Sequence, residues 1–172
     1  MSRRRPVGLV HYHELGLKRG NRPLFLRHLG RNLRRATSDL GPLTLRQVSG
    51  RVLLDLEHHP DPDAVRDRVQ RVCGVSSFAI AYPVASTVEG MKSIIAWLVE
   101  GQTFASFRIT ARRAFKTYPM TSVELNRELG AFVLERVASR VDLRHPELEI
   151  HVEVMPAETF VYVHPVPGPG GL

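Results

Sequence analysis

Apolar positions along the chain recur with two periods, one typical of strands and one typical of helices. Residues 7–12 form an apolar run that predicts a buried strand, and residues 107–111 alternate apolar and polar side chains like a strand with one buried face. In residues 21–38 apolar side chains instead recur every three or four positions. This pattern predicts an amphipathic helix with Asn21 as its N-cap and Pro23 in its first turn.

The first half of the chain contains further signals of turns and helix ends. Residues 44–57 predict two strands joined by a tight turn at Ser49 and Gly50. Asp61 or Asp63 is expected to cap a second helix that ends at Gly74, and residues 75–84 predict another apolar strand. The order strand, helix, strand, strand, helix, strand is ferredoxin-like, with a four-stranded antiparallel sheet and two helices on one face.

The second half predicts another layered α/β unit. Thr87 is expected to cap a helix that runs through Glu100, and the Thr121 to Glu124 spacing is that of a capping box, so a helix should begin at Ser122. Alternating strands follow at residues 148–154 and 159–164. We therefore expect an α+β protein with one domain at residues 1–83, a second at 84–166, and a linker or frayed tail, rich in proline and glycine, at 167–172.

Positive charge is distributed unevenly over the 172 residues, whose formal net charge is +7. Residues 1–83 contain 15 Lys and Arg against 7 Asp and Glu, whereas residues 84–172 contain 9 against 10. This clustering favours a polyanionic partner such as a nucleic acid, although an ordinary solvated basic surface would give the same composition. The hydrophobic content of 43% is sufficient for a real core.

Cysteine usage and hydropathy restrict the compartment. The single Cys73 excludes an intramolecular disulfide and a multi-cysteine metal site, and its apolar neighbours predict a buried, inert thiol. No stretch has the long apolar run of a signal peptide or membrane span. We therefore expect a cytoplasmic protein with no membrane partner and no bound metal.

A candidate anion site follows the strand at residues 107–111. The strand ends in two arginines, a loop carries a lysine, and the next helix begins with free backbone N–H groups, a combination that favours a phosphate backbone. The candidate RNA contacts are Arg108, Arg112, Arg113, Lys116 and Arg127. Phe115 and Tyr118 in the same loop are predicted either to stack on bases or to pack into the core.

A second basic surface is predicted on the first helix. Its polar face carries Arg27, Arg31, Arg34 and Arg35. This ridge is interpreted either as a secondary nucleic-acid surface or as an ordinary solvated helix face. Membrane-surface binding is disfavoured because the apolar face lacks tryptophan and is needed for the core.

Several strings, in one order along the chain, resemble a known family. They are YHELGLKRGNRP at residues 12–23, GVSSF at 74–78, TARR at 110–113 followed by Lys116 and Pro119, the Ser122, Leu125, Leu129 and Gly130 spacing, and PGPGGL at 167–172. The chain resembles the N-terminal portion of the tRNA 4-thiouridine synthetase (tRNA sulfurtransferase) family, which is linked to thiamine biosynthesis. In that family a ferredoxin-like domain precedes a THUMP domain, and a PP-loop ATP pyrophosphatase domain follows.

The resemblance implies a tRNA-binding module that docks the acceptor stem and 3′ end for uridine thiolation. It implies that Arg112, Arg113 and Lys116 contact RNA, and that Lys18, Asn21 and Arg22 lie near the junction of the two domains. The implied partners are tRNA, a catalytic PP-loop domain or subunit, and a cysteine desulfurase. A homodimer is left open.

The chain itself is expected to be non-catalytic and to bind no cofactor. It contains no Ser-Gly-Gly-x-Asp-Ser loop and no pair of cysteines, so it is either a fragment that ends at a hinge or a stand-alone RNA-binding subunit. Two alternatives remain open at this point. One is an RNA-binding adaptor for a different RNA-modifying enzyme, and the other is a regulatory ferredoxin-like domain that binds a small molecule.

Overall fold

The structure, a computed structural model, describes residues 4–13 and 20–171. Its contacts divide the chain into a first unit of Met1–Ala81 with Pro165–Leu172 and a second unit of Tyr82–His164. The predicted α+β class, with a βαββαβ unit first, is confirmed by the order of the elements. No helix within the described ranges is long and apolar enough to cross a membrane.

Helices and strands alternate along both units. The helices are α1 (Arg22–Ala36), a short 3-10 helix (Ser38–Leu40), α2 (Pro62–Val69), α3 (Val88–Val99) and α4 (Ser122–Leu134). The strands are β1 (Val7–His11), β2 (Leu45–Val48), β3 (Arg51–Asp55), β4 (Ser77–Val84), β5 (Ser106–Arg113), β6 (Arg140–Val141), β7 (Leu148–Val154), β8 (Thr159–Tyr162) and β9 (Val166–Pro167).

The first unit is built on an antiparallel sheet in the order β2-β3-β1-β4. Its core includes Leu29 and Leu33 from α1 and Val65 and Val69 from α2, all fully buried. The predicted hairpin turn is confirmed, since Ser49 and Gly50 both have positive φ, at 36° and 78°. Two consecutive positive φ values are those of a type I′ turn, whose twist matches the flanking strands.

The ends of α1 and α2 differ in detail from the sequence predictions. Asn21 occupies the N-cap position of α1, but its side chain makes no capping hydrogen bond. Asp61 does cap α2, because its carboxylate accepts a hydrogen bond from the Ala64 N–H. The prediction that α2 ends at Gly74 is wrong: the helix ends at Val69, and the N–H groups of Arg71 and Val72 bond to carbonyls three residues back, which tightens the chain into turns.

Two further expectations for the first unit are corrected. Cys73 is exposed rather than buried, because it lies in the turns between α2 and β4 and not in the apolar strand. The segment predicted as a linker or frayed end instead lies against the first unit, where β9 pairs with β4 at Ser77 and Phe78. Its backbone is held further by hydrogen bonds from Gly168 N to Ser76 O and from Gly170 N to Val75 O, at 3.0 and 2.8 Å.

The second unit is built on a mixed sheet in the order β8-β7-β5-β6. The central pair β5 and β7 is parallel, and β7 and β8 are antiparallel. Residues from α3, α4 and one face of the strands share a single core. Its fully buried members include Met91, Leu125, Leu129, Phe107 and Ile150. One face of the sheet is therefore covered by helices, and the polar side chains of β5 and β7 lie on the other face.

Candidate nucleic-acid interface

The polar face of β5 lies beside a row of acidic and histidine side chains on β7. The predicted inward face is confirmed, since Phe107, Ile109 and Ala111 are all buried. On the opposite face Arg108 is in register with Glu149, and Thr110 with His151. The strand that the sequence predicts as a basic, solvent-facing surface thus has carboxylates as its direct neighbours.

Arg108 is engaged by this row and is not a free cation. Its Nε donates to Glu149 Oε2 at 2.8 Å, its Nη2 donates to the same oxygen, and its Nη1 donates to the Leu143 carbonyl at 2.7 Å. Only 31% of its side chain is exposed. Arg108 is therefore only partly exposed to solvent, because the neighbouring parallel strand supplies its counter-ion, and its predicted contact with RNA stays a prediction.

Glu149 remains ionised in this setting. Burial is the largest single influence on its pKa and raises it, but hydrogen bonds from Thr110 and Arg108 and the nearby positive charge together outweigh burial. The pKa of this carboxyl therefore lies below its ordinary value. The Thr110 hydroxyl donates to Glu149 Oε2 at 2.6 Å, so one oxygen accepts from two side chains.

A buried polar network continues along β7 and β8. The Tyr162 hydroxyl donates to Glu153 Oε1 at 3.0 Å, and Glu153 is only 3% exposed. The His151 ring stacks on the Tyr162 ring at 4.7 Å and lies 3.1 Å from Glu149 through its Nε2. The carboxylates at the centre of this face are therefore paired with neighbouring side chains, which leaves the end of β5 as the region where a ligand could find cations.

The loop after β5 is held by Arg113 and two aromatic rings. Arg113 Nη1 donates to the carbonyls of Lys116 and Tyr118 at 3.3 and 3.4 Å. The Tyr118 hydroxyl donates to the Ser86 carbonyl at 3.0 Å, and the Phe115 ring meets the Tyr118 ring edge-on. Both rings are partly buried against the core, so the structure favours core packing over base stacking for both.

The start of α4 offers fewer free donors than the sequence predicts. The capping box is confirmed: Thr121 Oγ1 accepts from the Glu124 N–H at 3.1 Å, and Glu124 Oε2 accepts from the Thr121 N–H at 3.0 Å. Two of the backbone donors are thus already paired, and the Glu124 carboxylate brings negative charge to the helix start. The helix N-terminus is therefore a poor anion site by itself.

Three cations of the predicted set remain available. Arg112, Lys116 and Arg127 are exposed, and their side chains make no hydrogen bond or ion pair with any described residue. We refer to these three residues as the β5–α4 cluster. Asn126 Oδ1 accepts from the Ala111 N–H at 2.9 Å, so the residues just before Arg112 and Arg127 are bonded to each other. Asn126 was not among the predicted site residues, and its position one residue before an arginine was the available signal.

The other predicted residues belong to the first unit. Asn21 and Arg22 are exposed at the start of α1, whereas Lys18 lies outside the described residues. All four arginines of the α1 ridge, Arg27, Arg31, Arg34 and Arg35, are exposed, as predicted for either interpretation of that surface.

Comparison with known families covers nearly all of the chain. Residues 7–79 match the model of the ThiI ferredoxin-like domain. Residues 87–164 match the model of the THUMP domain. The chain is a ThiI ferredoxin-like domain followed by a THUMP domain. The family resemblance inferred from the sequence is thereby confirmed, and the β5–α4 cluster lies in the THUMP domain.

Curated and solved relatives agree with this assignment. The chain is 39% identical over 165 residues to a probable tRNA sulfurtransferase of Moorella thermoacetica, covering 95% of this chain and 42% of that protein. PH1313 of Pyrococcus horikoshii superposes with a TM-score of 0.84 at 29% identity, covering 97% of this chain and 56% of that one.

A 4-thiouridine synthetase solved with RNA and bound ATP superposes with a TM-score of 0.79 at 29% identity. The match covers 98% of this chain and 43% of that one. The ferredoxin-like and THUMP domains thus span about two fifths of the tRNA sulfurtransferases they match.

Proposed function

We propose that the chain is a tRNA-binding module that docks the acceptor stem and 3′ end of tRNA for a uridine-thiolating enzyme. The observation that carries this proposal is the joint match to a ThiI ferredoxin-like domain and a THUMP domain, together with 29% identity to a 4-thiouridine synthetase solved with RNA. In this proposal thiolation itself belongs to a PP-loop domain or subunit supplied with sulfur by a cysteine desulfurase.

The β5–α4 cluster is the proposed primary contact with the RNA backbone. Arg112, Lys116 and Arg127 are exposed and have no carboxylate partner among the described residues, so their charges are free to replace the counterions of phosphates. Arg113 supports this cluster by holding the loop that carries Lys116. Asn21, Arg22 and the two ridge arginines Arg31 and Arg35 are proposed as secondary contacts.

A double substitution tests the primary contact. Arg112→Ala with Lys116→Ala should weaken tRNA binding by about tenfold and flatten its salt dependence, since each phosphate contact contributes about 0.7 to 0.9 to the slope of log affinity against log salt. The matched control is Arg136→Ala with Arg144→Ala, two exposed arginines of the same domain that lie outside the cluster and make no ion pair with a described residue. Fluorescence anisotropy with labelled tRNA, at several salt concentrations, gives both quantities.

The outcomes separate the proposed site from the proposed function. Equal losses in both double variants would mean that the chain binds RNA through diffuse charge and that the cluster is the wrong site. A chain with no salt-dependent tRNA affinity would instead remove the whole function and favour a regulatory domain that binds a small molecule.

The docking mode requires a different comparison. Removing the 3′ terminal nucleotides of the tRNA should cost more affinity than replacing the anticodon loop, because the proposal places the 3′ end on this module. A larger effect of the anticodon loop would contradict it.

A further inference from the structure

A groove lies along the ferredoxin-like domain between α1 and the edge strand β2. Its volume is about 670 Å³, and a neighbouring depression of about 380 Å³ shares Arg34 with it. The apolar lining comes from Leu26, Leu45 and Val52, and the charged lining consists of Arg22, Arg27, Arg34 and Arg46. The groove thus combines an apolar surface with exposed positive charge along one side of a helix.

The ridge arginines of α1 divide into two pairs with respect to this groove. Arg27 and Arg34 line it, whereas Arg31 and Arg35 are also exposed but do not line it. The division follows from helical geometry, since residues 27 and 34 are nearly in line at 100° per residue and residues 31 and 35 are rotated away from them. The ridge therefore contains two pairs of arginines of equal charge, one pair that lines the groove and one pair that lies outside it.

Strand β2 contributes an open backbone edge to the same groove. It ends the order of strands in its domain, so among the described residues it pairs only with β3. The two-residue turn makes Val48 and Arg51 a hydrogen-bonded pair, and the Asp55 N–H bonds to the Thr44 carbonyl. In an antiparallel ladder, alternate residues of an edge strand direct their backbone N–H and C=O groups away from the partner strand. On β2 these residues are Leu45 and Gln47, and both also line the groove.

We propose that this groove binds an extended, acidic segment of a partner protein, which adds as a strand to the open edge of β2. One apolar side chain of the segment lies on the apolar lining, and two flanking carboxylates pair with Arg27 and Arg34. This surface and its partner are distinct from the proposed tRNA contact of the THUMP domain.

The spacing of the charges fits such a segment. Arg27 and Arg34 are seven residues apart, or about 10 Å along the helix axis. Two carboxylates four residues apart in an extended chain are separated by about 13 Å, and the residue midway between them points to the same side. The flexible arginine side chains can accommodate the difference of about 3 Å. A pattern of Glu, any residue, Leu, any residue, Glu therefore places its central leucine between the two arginines.

A peptide strand fits this surface better than RNA does. Leucine and valine side chains offer nothing to a phosphate, and no aromatic ring for base stacking lies among the residues that line the groove. Backbone N–H and C=O groups along a strand edge are instead the groups that recognise another strand, with pockets for its alternate side chains.

The probe is the fluorescent, end-blocked peptide Thr-Glu-Thr-Leu-Thr-Glu-Thr, titrated against the full chain by anisotropy. It should bind saturably, whereas the counterpart with lysine in place of glutamate should not. Arg27→Ala with Arg34→Ala should weaken binding by about tenfold, since two partly exposed ion pairs are lost. Arg31→Ala with Arg35→Ala, which removes the same charge outside the groove, should change it by less than about twofold.

Two further experiments test the groove and the strand edge without changing any charge. Gly30→Leu should abolish binding by filling the groove; the fold should tolerate it, because only the tip of Arg34 lies near an added Cβ, at 3.4 Å, and leucine favours a helix more than glycine does. N-methylation of one alternate set of peptide amides should abolish binding, and methylation of the other set should not, as strand addition requires.

Three results would overturn the proposal. The first is equal binding of the glutamate and lysine peptides, or no saturable binding of either. The second is an equal loss in the two double-arginine variants. The third is displacement of the peptide by tRNA together with a larger loss of tRNA affinity in the Arg27 and Arg34 variant than in the Arg31 and Arg35 variant, which would assign the groove to RNA.

Discussion

The contact between Arg108 and Glu149 determines which part of the THUMP sheet carries free positive charge. Glu149 accepts hydrogen bonds from both Arg108 and Thr110, and the three side chains share the face of the sheet away from the helices. A carboxylate that accepts two such bonds while partly buried stabilises the fold and neutralises the arginine. The unpaired positive charge of this strand is therefore that of Arg112, at the end of the strand.

Replacing Glu149 with Gln should destabilise the THUMP domain in a pH-dependent way. Loss of the charged acceptor should lower the free energy of unfolding by about 1–3 kcal/mol at pH 7. The folded-state pKa of Glu149 lies below its unfolded value, so its contribution is fully present above about pH 4.3 and is lost as the pH falls through the folded pKa. Urea unfolding at pH 7 and pH 3.5 should therefore show the gap between the two proteins shrinking, and a gap independent of pH would contradict this account.

At the residue scale, sequence patterns identified charges but not their partners. The alternation at residues 107–111 correctly predicted which side chains of β5 are buried, because burial follows from local periodicity. The engagement of Arg108 could not be predicted, since Glu149 is 41 residues away and becomes a neighbour only through parallel pairing of β5 and β7. Phe115 and Tyr118 were ambiguous for the same reason: the Ser86 carbonyl that holds Tyr118 is 32 residues away.

At the scale of elements, two helical glycines should respond oppositely to the same substitution. An added Cβ at Gly130, inside α4, meets nothing within 4 Å, whereas one at Gly90, in the first turn of α3, would lie 2.9 Å from the Ala85 carbonyl oxygen. Gly130→Ala should therefore raise the free energy of unfolding by about 0.5–1 kcal/mol through helix propensity. Gly90→Ala should lower it because of the clash with backbone.

Thermal unfolding of the two variants beside the unchanged protein measures both effects. The midpoint should rise for Gly130→Ala and fall for Gly90→Ala. A fall for Gly130→Ala would mean that the space beside α4 is needed by the fold, which would contradict the inferred freedom of that site.

Individual elements were predictable because their signals are local. The turn at Ser49 and Gly50 and the capping box at Thr121 and Glu124 each lie within four residues, and the structure has both. The sequence predicted the end of α2 at Gly74 because glycine often follows a helix. Gly74 does have positive φ, at 99°, but it lies in the turn that enters β4 and not at the end of the helix. A glycine signal alone does not distinguish these two uses.

At the scale of the whole molecule, the C-terminal segment at residues 166–170 packs against the ferredoxin-like domain through backbone hydrogen bonds. Its proline and glycine content is typical of a linker, yet glycine is also what permits close approach to another backbone. The segment pairs with β4 some 90 residues earlier, so no local pattern could reveal that contact. The position that requires glycine most strictly is Gly168, where an added Cβ would lie 2.2 Å from the Val75 carbonyl oxygen.

Replacing Gly168 with Ala should release this segment from the ferredoxin-like domain. The clash is with backbone, so it cannot be relieved by rotating a side chain, and the hydrogen bonds of Gly168, Gly170 and Gly74 should be lost together. Hydrogen exchange should show faster exchange at the Gly74 and Gly170 amides, while the Ser76 amide stays protected because it bonds to His11 within the sheet. Gly20→Ala, where an added Cβ meets nothing within 4 Å, is the matched control. If the Gly74 and Gly170 amides remain protected in the Gly168 variant, the close contact between Gly168 and Val75 is not what holds the segment.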